Sequence, residues 1–398
     1  MRVRILALFV MVATIGAAQD RSALLLTPRR LQRLERDRER QTDRWLNFEK
    51  RVETAPDSPQ RGFELALYYA VTHDQKRGRE AILWALAHHC ERRQEALVRV
   101  WSADLISEAE RKSLDAPCVF AGTGNIDTIQ LARDGLFEAV GKGERESQYA
   151  ARAWRGIVDE LRHGRLANAD SLYAAIEFID AVRTNEGIDL RQDDPTFFSK
   201  LPAEYLLSLE PAKVVHPDWM AHIAALAYVG LDPNLAGSQY LQSWAMQDSQ
   251  MLRDGPGVAF EFLWGDPYLP GIGYEDLSPW IYDADRGLRA RTDWSPNACW
   301  IEVARWGSPQ VNCPRGWEQR AMAFGQLMLV PLKEVCVEAP RPKSDEAVII
   351  SGLRPQEALT FLEGKKIESA TADAAGLWLV PQGVAGNVCA VNRHLATP

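Results

Sequence analysis

Gly257-Val-Ala-Phe-Glu-Phe-Leu-Trp-Gly-Asp-Pro-Tyr-Leu-Pro-Gly-Ile-Gly-Tyr274 separates two kinds of sequence. Before it, apolar residues recur at helical spacing; after it, they come in short runs broken by Pro and Gly. Ten aromatic residues (Phe260, Phe262, Trp264, Tyr268, Tyr274, Trp280, Tyr282, Trp294, Trp300 and Trp306) crowd this region, well above the 9% share of the whole chain. So many Gly and Pro among large rings argue against a regular helix or a central strand and predict an aromatic, turn-rich bridge over 253–295. Such a bridge either fills a junction between domains or lines a ligand cleft, because flat amphipathic rings suit packed interfaces and sugars alike. In the second reading Trp264, Asp266, Tyr268, Trp280 and Tyr282 face the ligand, although Asp266 before Pro267 is also a simple turn former.

Working back from the bridge, residues 24–252 read as helices. Thr27 before Pro28 and Ser58 before Pro59 each place a hydroxyl ahead of a proline, the pattern of a capped helix start. Apolar stripes recur in Gln60–Thr72, Arg77–His89, Gln94–Ile106, Ile126–Val140, Tyr149–Leu161, Ser171–Val182, Pro195–Leu209, Trp219–Tyr228 and Ala236–Leu252. Helices with short connections and no intervening strand predict stacked hairpins, and the lack of a fixed-period repeat favours an incomplete (α/α) toroid over an open solenoid. Working forward, 296–398 carries strand-like runs at Trp300–Arg305, Gln326–Val330, Val335–Glu338, Ala347–Ser351, Ala358–Leu362, Leu377–Val380 and Asn387–Val391, with a hairpin turn at Ala372–Gly376. The fold class expected is mainly α with a small C-terminal antiparallel β-sandwich.

The first residues run Met-Arg-Val-Arg, then apolar from Ile5 to Ala17, then small at Gly16, Ala17 and Ala18, which is the order of a signal peptide over 1–18. Export to the periplasm or beyond is expected, with no membrane span in the mature chain. Cleavage would remove Arg2 and Arg4, taking 46 basic residues to 44 against 54 acidic and the charge from −8 to −10. That balance counts against nucleic acid, whose phosphates call for a basic face. Six cysteines in an exported chain predict disulfides. Sequence proximity suggests Cys90 with Cys118, Cys299 with Cys313 and Cys336 with Cys389, among fifteen possible connectivities. No Cys-x-x-Cys occurs, and neither His88/His89 nor His216/His222 has metal-ligand spacing, so neither a metal nor another cofactor is expected.

Several segments resemble the heparinase II/III-like and alginate-lyase-like polysaccharide lyases. Thr27-Pro-Arg-Arg-Leu-Gln-Arg-Leu and Leu65-Ala-Leu-Tyr-Tyr-Ala-Val-Thr-His-Asp look like the group's opening helices, and Phe262-Leu-Trp-Gly-Asp-Pro-Tyr-Leu-Pro and Leu288-Arg-Ala-Arg-Thr-Asp-Trp-Ser-Pro-Asn-Ala-Cys-Trp like its crossing into the β domain. The resemblance implies an α/α toroid with a β-sandwich, a poly- or oligosaccharide partner, and β-elimination at a uronate. It assigns Asn168, in Arg165-Leu-Ala-Asn-Ala-Asp-Ser-Leu-Tyr, to neutralising the sugar carboxylate, and Tyr205, in Phe198-Ser-Lys-Leu-Pro-Ala-Glu-Tyr, to removing the C5 proton, with Lys200 and Arg191 nearby in sequence. Asn ahead of a helix is also a common cap, and Tyr205 on an amphipathic helix also reads as a buried tyrosine. Trp317 stands where the group has a histidine, and no histidine occurs between His222 and His394. Weak or lost β-elimination is therefore expected. The other readings are a non-catalytic structural or interaction protein of the cell envelope, and a glycoside hydrolase using bridge carboxylates such as Glu261, Asp266, Glu275 and Asp276.

Overall fold

The structure is a computed structural model that describes residues 24–116, 127–143, 147–163, 168–283, 287–304, 310–313, 322–324, 327–329, 346–350, 367–373, 376–381 and 388–392. The expected signal peptide, Cys118, Trp317, Cys336 and the runs Val335–Glu338 and Ala358–Leu362 lie outside the described residues. Among the described residues no helix is long and apolar enough to cross a membrane.

The chain is mainly helical. Among the described residues the helices are α1 (Pro28–Glu39), α2 (Asp43–Thr54), α3 (Arg61–Thr72), α4 (Gln75–Ala87), α5 (Arg92–Trp101), α6 (Glu108–Leu114), α7 (Thr128–Gly141), α8 (Ser147–His163), α9 (Ala169–Glu186), α10 (Pro195–Ser208), α11 (Pro211–Val215), α12 (Trp219–Leu231), α13 (Ala236–Ala245) and α14 (Gly257–Trp264). The chain forms two compact units, one of residues 1–127, 131–153 and 177–190, the other of 128–130, 154–176 and 191–398.

In the first unit Thr27 caps α1 as its sequence predicts, its hydroxyl oxygen accepting from the Arg30 amide at 3.2 Å. Ser58 does not cap a helix at Pro59. The helix starts at Arg61, and the Ser58 hydroxyl instead donates to Glu64 Oε1 (2.8 Å) while accepting from Arg51 Nη2 (2.8 Å). The same oxygen accepts from the Gln60 amide (3.2 Å) just before the helix, and its proton goes to the buried Glu64 carboxylate. A second buried network centres on α9, whose Glu177 and Asp180 are 0% exposed. Arg93 of α5 grips Glu177 through two hydrogen bonds (2.8 and 2.5 Å), Arg133 of α7 reaches the same carboxylate at 3.1 Å, and Arg30 of α1 and Arg183 hold Asp180 at 2.9 and 2.7 Å.

In the second unit the segment from Gly257 corrects the sequence reading. Residues 257–264 are a buried α-helix, not a turn-rich bridge, because the Gly and Pro stand at its ends: Pro256 at the N-cap and Gly265 at the C-cap, with Val-Ala-Phe-Glu-Phe-Leu-Trp uninterrupted between them. Strands also begin earlier than expected. Four antiparallel strands, β1 (Trp280–Asp283), β2 (Gly287–Arg291), β3 (Trp300–Ala304) and β4 (Gln310–Asn312), form a sheet in that order, so β2 is a central strand inside the expected bridge. Its glycine is at the strand end, where it costs no packing. The Cys299–Cys313 disulfide stands beside the Trp300↔Asn312 pair of β3 and β4. Cys90 is also disulfide-bonded.

Of the later strands, β5 (Met322–Phe324), β6 (Leu327–Leu329), β7 (Glu346–Ile350) and β10 (Val388–Asn392) form a sheet ordered β10-β7-β6-β5, while β8 (Ile367–Asp373) pairs with β9 (Gly376–Pro381). The β8–β9 register closes on Asp373↔Gly376, where the hairpin turn was expected. Cys389 lies in β10, opposite Ile349. The β6–β7 pair is parallel, so these strands are not purely antiparallel.

The α9 network yields a prediction. Glu177→Gln leaves the guanidinium groups of Arg93 and Arg133 without their shared countercharge, and breaking a buried pair from one side costs about 3–5 kcal/mol. Urea unfolding should show a loss of that size, whereas Glu138→Gln, at a half-buried pair with Lys142, should cost under about 1 kcal/mol.

Candidate functional site

The residues singled out from sequence fall in different settings. Asn168 is exposed at the start of α9, where its Oδ1 accepts from the Ser171 amide (3.3 Å) and its carbonyl from the Leu172 amide (3.1 Å). It serves as the helix cap. Tyr205 is 1% exposed and its hydroxyl donates to the Ala221 carbonyl at 3.1 Å. Burial pushes its phenol well above the usual range, and the nearby Asp218 and Asp170 push it the same way. The expected base is therefore a structural hydroxyl: the proton it would have to lose is committed, and a phenolate there would be desolvated and next to anions. Of the cations near it in sequence, Arg191 approaches Asp232 at 3.4 Å and Lys200 is exposed.

The ring set divides similarly. Trp264, expected to face a ligand, is 3% exposed and donates its Nε1–H to the Tyr173 hydroxyl at 3.0 Å, because it closes the apolar helix α14 rather than a loop. Tyr268 is 65% exposed in the loop that follows. That loop is pinned to α13: Gln242 donates to the Asp266 carbonyl (2.8 Å) and the Ile272 amide to the Gln239 carbonyl (3.1 Å), while Asp266 Oδ1 accepts from the Tyr268 amide (3.1 Å) as a turn former. Trp280 is half-buried on β1 and pairs with Ala290. Tyr282 pairs with Leu288, and its side chain lies outside the described residues. Among the bridge carboxylates, Glu261 is buried, accepts from the Leu252 amide (2.6 Å) and stands 3.6 Å from the buried His222 ring, while Glu275 and Asp276 are exposed.

A residue that sequence reading passed over gives this region its strongest electrostatic feature. Arg289 and Arg291 alternate with Ala290 along β2 and so share one sheet face, opposite Glu302 and Trp300 in the β3 register. That face meets the carbonyl end of α10. Trp300 Nε1 donates to the Leu207 carbonyl (2.8 Å), Arg291 Nη2 to the Leu209 carbonyl (2.8 Å), and Arg289 pairs with Glu302 at 2.8 Å. Arg291 is 0% exposed, and its Nε and Nη1 have no hydrogen-bond partner. The half-buried Trp294 ring lies over the guanidinium at 4.3 Å and meets Tyr274 edge-on at 5.4 Å. Burial lowers the Arg291 pKa to about 10, with Asp293 and Tyr274 opposing the shift. Arg-x-Arg in a strand before Thr-Asp-Trp was the sequence signal available, since two cations on one sheet face need partners or a ligand.

No protein-family model matches the chain, and no curated protein matches it in sequence.

The Tyr205 geometry yields a pH prediction. A phenol whose folded pKa lies above its unfolded value of about 10 contributes stability that is fully present below pH 10 and is lost as pH rises beyond it, because only the unfolded chain then ionises. Unfolding midpoints should therefore fall steeply above about pH 10. Tyr205→Phe should lose about 1 kcal/mol at pH 7 and flatten that alkaline fall.

Proposed function

We propose that the protein is an exported glycan-recognising protein related to polysaccharide lyases, in which β-elimination is weak or lost. In this reading the helices are an incomplete (α/α) toroid and the later strands a small β-sandwich. The observation that carries it is the exposed Tyr268 ring on a loop pinned at both sides to α13, a rigid aromatic platform of the kind that stacks on sugar rings. The absence of catalysis rests on Asn168, occupied as a cap, and Tyr205, sealed and donating to Ala221. A second reading, a non-catalytic interaction protein of the cell envelope, is favoured by the burial of Phe260, Phe262 and Trp264, which makes α14 a packing element.

Two measurements on the mature protein test the proposal. Oligosaccharides should bind by calorimetry, and Tyr268→Ala should weaken binding at least tenfold with an unchanged unfolding midpoint. Uronate polymers, heparan and alginate included, should yield no ultraviolet-absorbing unsaturated ends. Binding untouched by Tyr268→Ala would remove the platform, and turnover abolished by Tyr205→Phe would restore the lyase.

A further inference from the structure

Arg291 is charged, sealed from water, and short of partners. Of its five N–H donors, the one on Nε and the two on Nη1 are unpartnered, and Nη2 meets a backbone carbonyl, not a carboxylate. Two features offset the charge. The end of α10 contributes about half a negative charge through its dipole, and the Trp294 face a cation–π attraction at 4.3 Å. Neither matches a desolvation cost of several kcal/mol for a buried ion. Asp293, the nearest acidic residue in sequence, does not close the gap: its Oδ1 accepts from the Ser295 amide (2.7 Å) and its Oδ2 from the Thr292 hydroxyl (3.3 Å). Tyr274 is neutral, since burial raises its phenol further above the usual range. Arg289, on the same sheet face, is paired with Glu302.

The loop around the guanidinium is braced. Thr292 and Cys299 exchange hydrogen bonds (both 2.9 Å), the Cys299–Cys313 disulfide ties the loop to β4, and the half-buried Trp294 ring lies over the guanidinium.

We propose that Arg291, beneath Trp294, is the seat of a carboxylate-bearing ligand. The carboxylate would accept from the free N–H groups as Trp294 turns aside, and the ring would then cover the ligand. The inference stands apart from the glycan reading, because a sugar acid and a peptide C-terminus present the same group.

The test is calorimetry on the mature chain at fixed ionic strength with three probes: glucuronate, N-acetylalanine and glucose. Saturable binding of at least one carboxylate, with none for glucose, is expected. Arg291→Met should weaken it at least tenfold, with the folding of the free variant checked by its unfolding midpoint. Should that variant not fold, Arg291→Lys, which keeps the charge and loses the fork, should also weaken binding at least tenfold. Binding of N-acetylalanine but not glucuronate would uphold the seat and count against the glycan reading. No saturable binding of either carboxylate, or equal affinity in the Arg291 variant, would overturn the inference.

Discussion

The carbonyl end of α10 is the point on which the second unit turns. The last carbonyls of a helix have no intrahelical donor and must find one elsewhere. Here Trp300 supplies one to Leu207 and Arg291 one to Leu209. These two residues are directly paired in the β2–β3 register, so one rung of the sheet satisfies one helix end. That contact fixes which face of the sheet meets the helix, and strand alternation then sends Trp280 and Ala290 to the opposite face. Which face meets the helix is thus set by a register that no sequence motif announces.

Buried arginines meet two different fates in this chain. Around α9, four guanidinium groups face two carboxylates that are wholly enclosed, and each cation reaches an ionised oxygen at 3.1 Å or less. Attraction at such distances in a poorly screened interior offsets much of the desolvation. Arg291 has a carbonyl, a helix end, a ring and the attraction of Asp293. The contrast sets the α9 network, where carboxylates meet the cations, apart from Arg291, where the hydrogen-bond partner is a backbone carbonyl.

Much of the helical half was legible because its signals are local. Thr27-Pro28 marks a start, and stripes such as Phe63, Leu67 and Val71 give a buried face, so α3, α7, α8, α9, α10 and α12 fall close to their expected spans. What failed depended on partners far along the chain. Ser58 carries a cap signal, but its hydroxyl joins Arg51 and Glu64 in a buried network ahead of a helix that starts at Arg61. Gly257 and Gly265 were read as interrupting a segment that they in fact bound, because composition counts glycines without regard to position. Strand β8, Ile-Glu-Ser-Ala-Thr-Ala-Asp, has too few large apolar residues to stand out. The candidate site was less legible than the fold. Tyr268 was named from sequence and is exposed, but the burial of Arg291 is not written in a sequence whose neighbours to that cation are Ala290 and Thr292.

Tyr205 shows why residue type alone is a poor guide to chemistry. A phenol serves as a base only if its anion is favoured, which requires cations or donors aimed at the oxygen and a path for the proton. At Tyr205 each condition is reversed: the hydroxyl donates, the side chain is enclosed, and the electrostatic influences on it are Asp218 and Asp170. Arg191, which might have lowered the phenol, is turned toward Asp232. With Arg191 at Asp232 and the hydroxyl committed to Ala221, proton abstraction by Tyr205 would need a rearrangement of α10 and its neighbours, not a single substitution. That same helix accepts from Tyr228 at the Phe198 carbonyl and from Arg291 at the Leu209 carbonyl, so its two ends are held by different elements of the second unit.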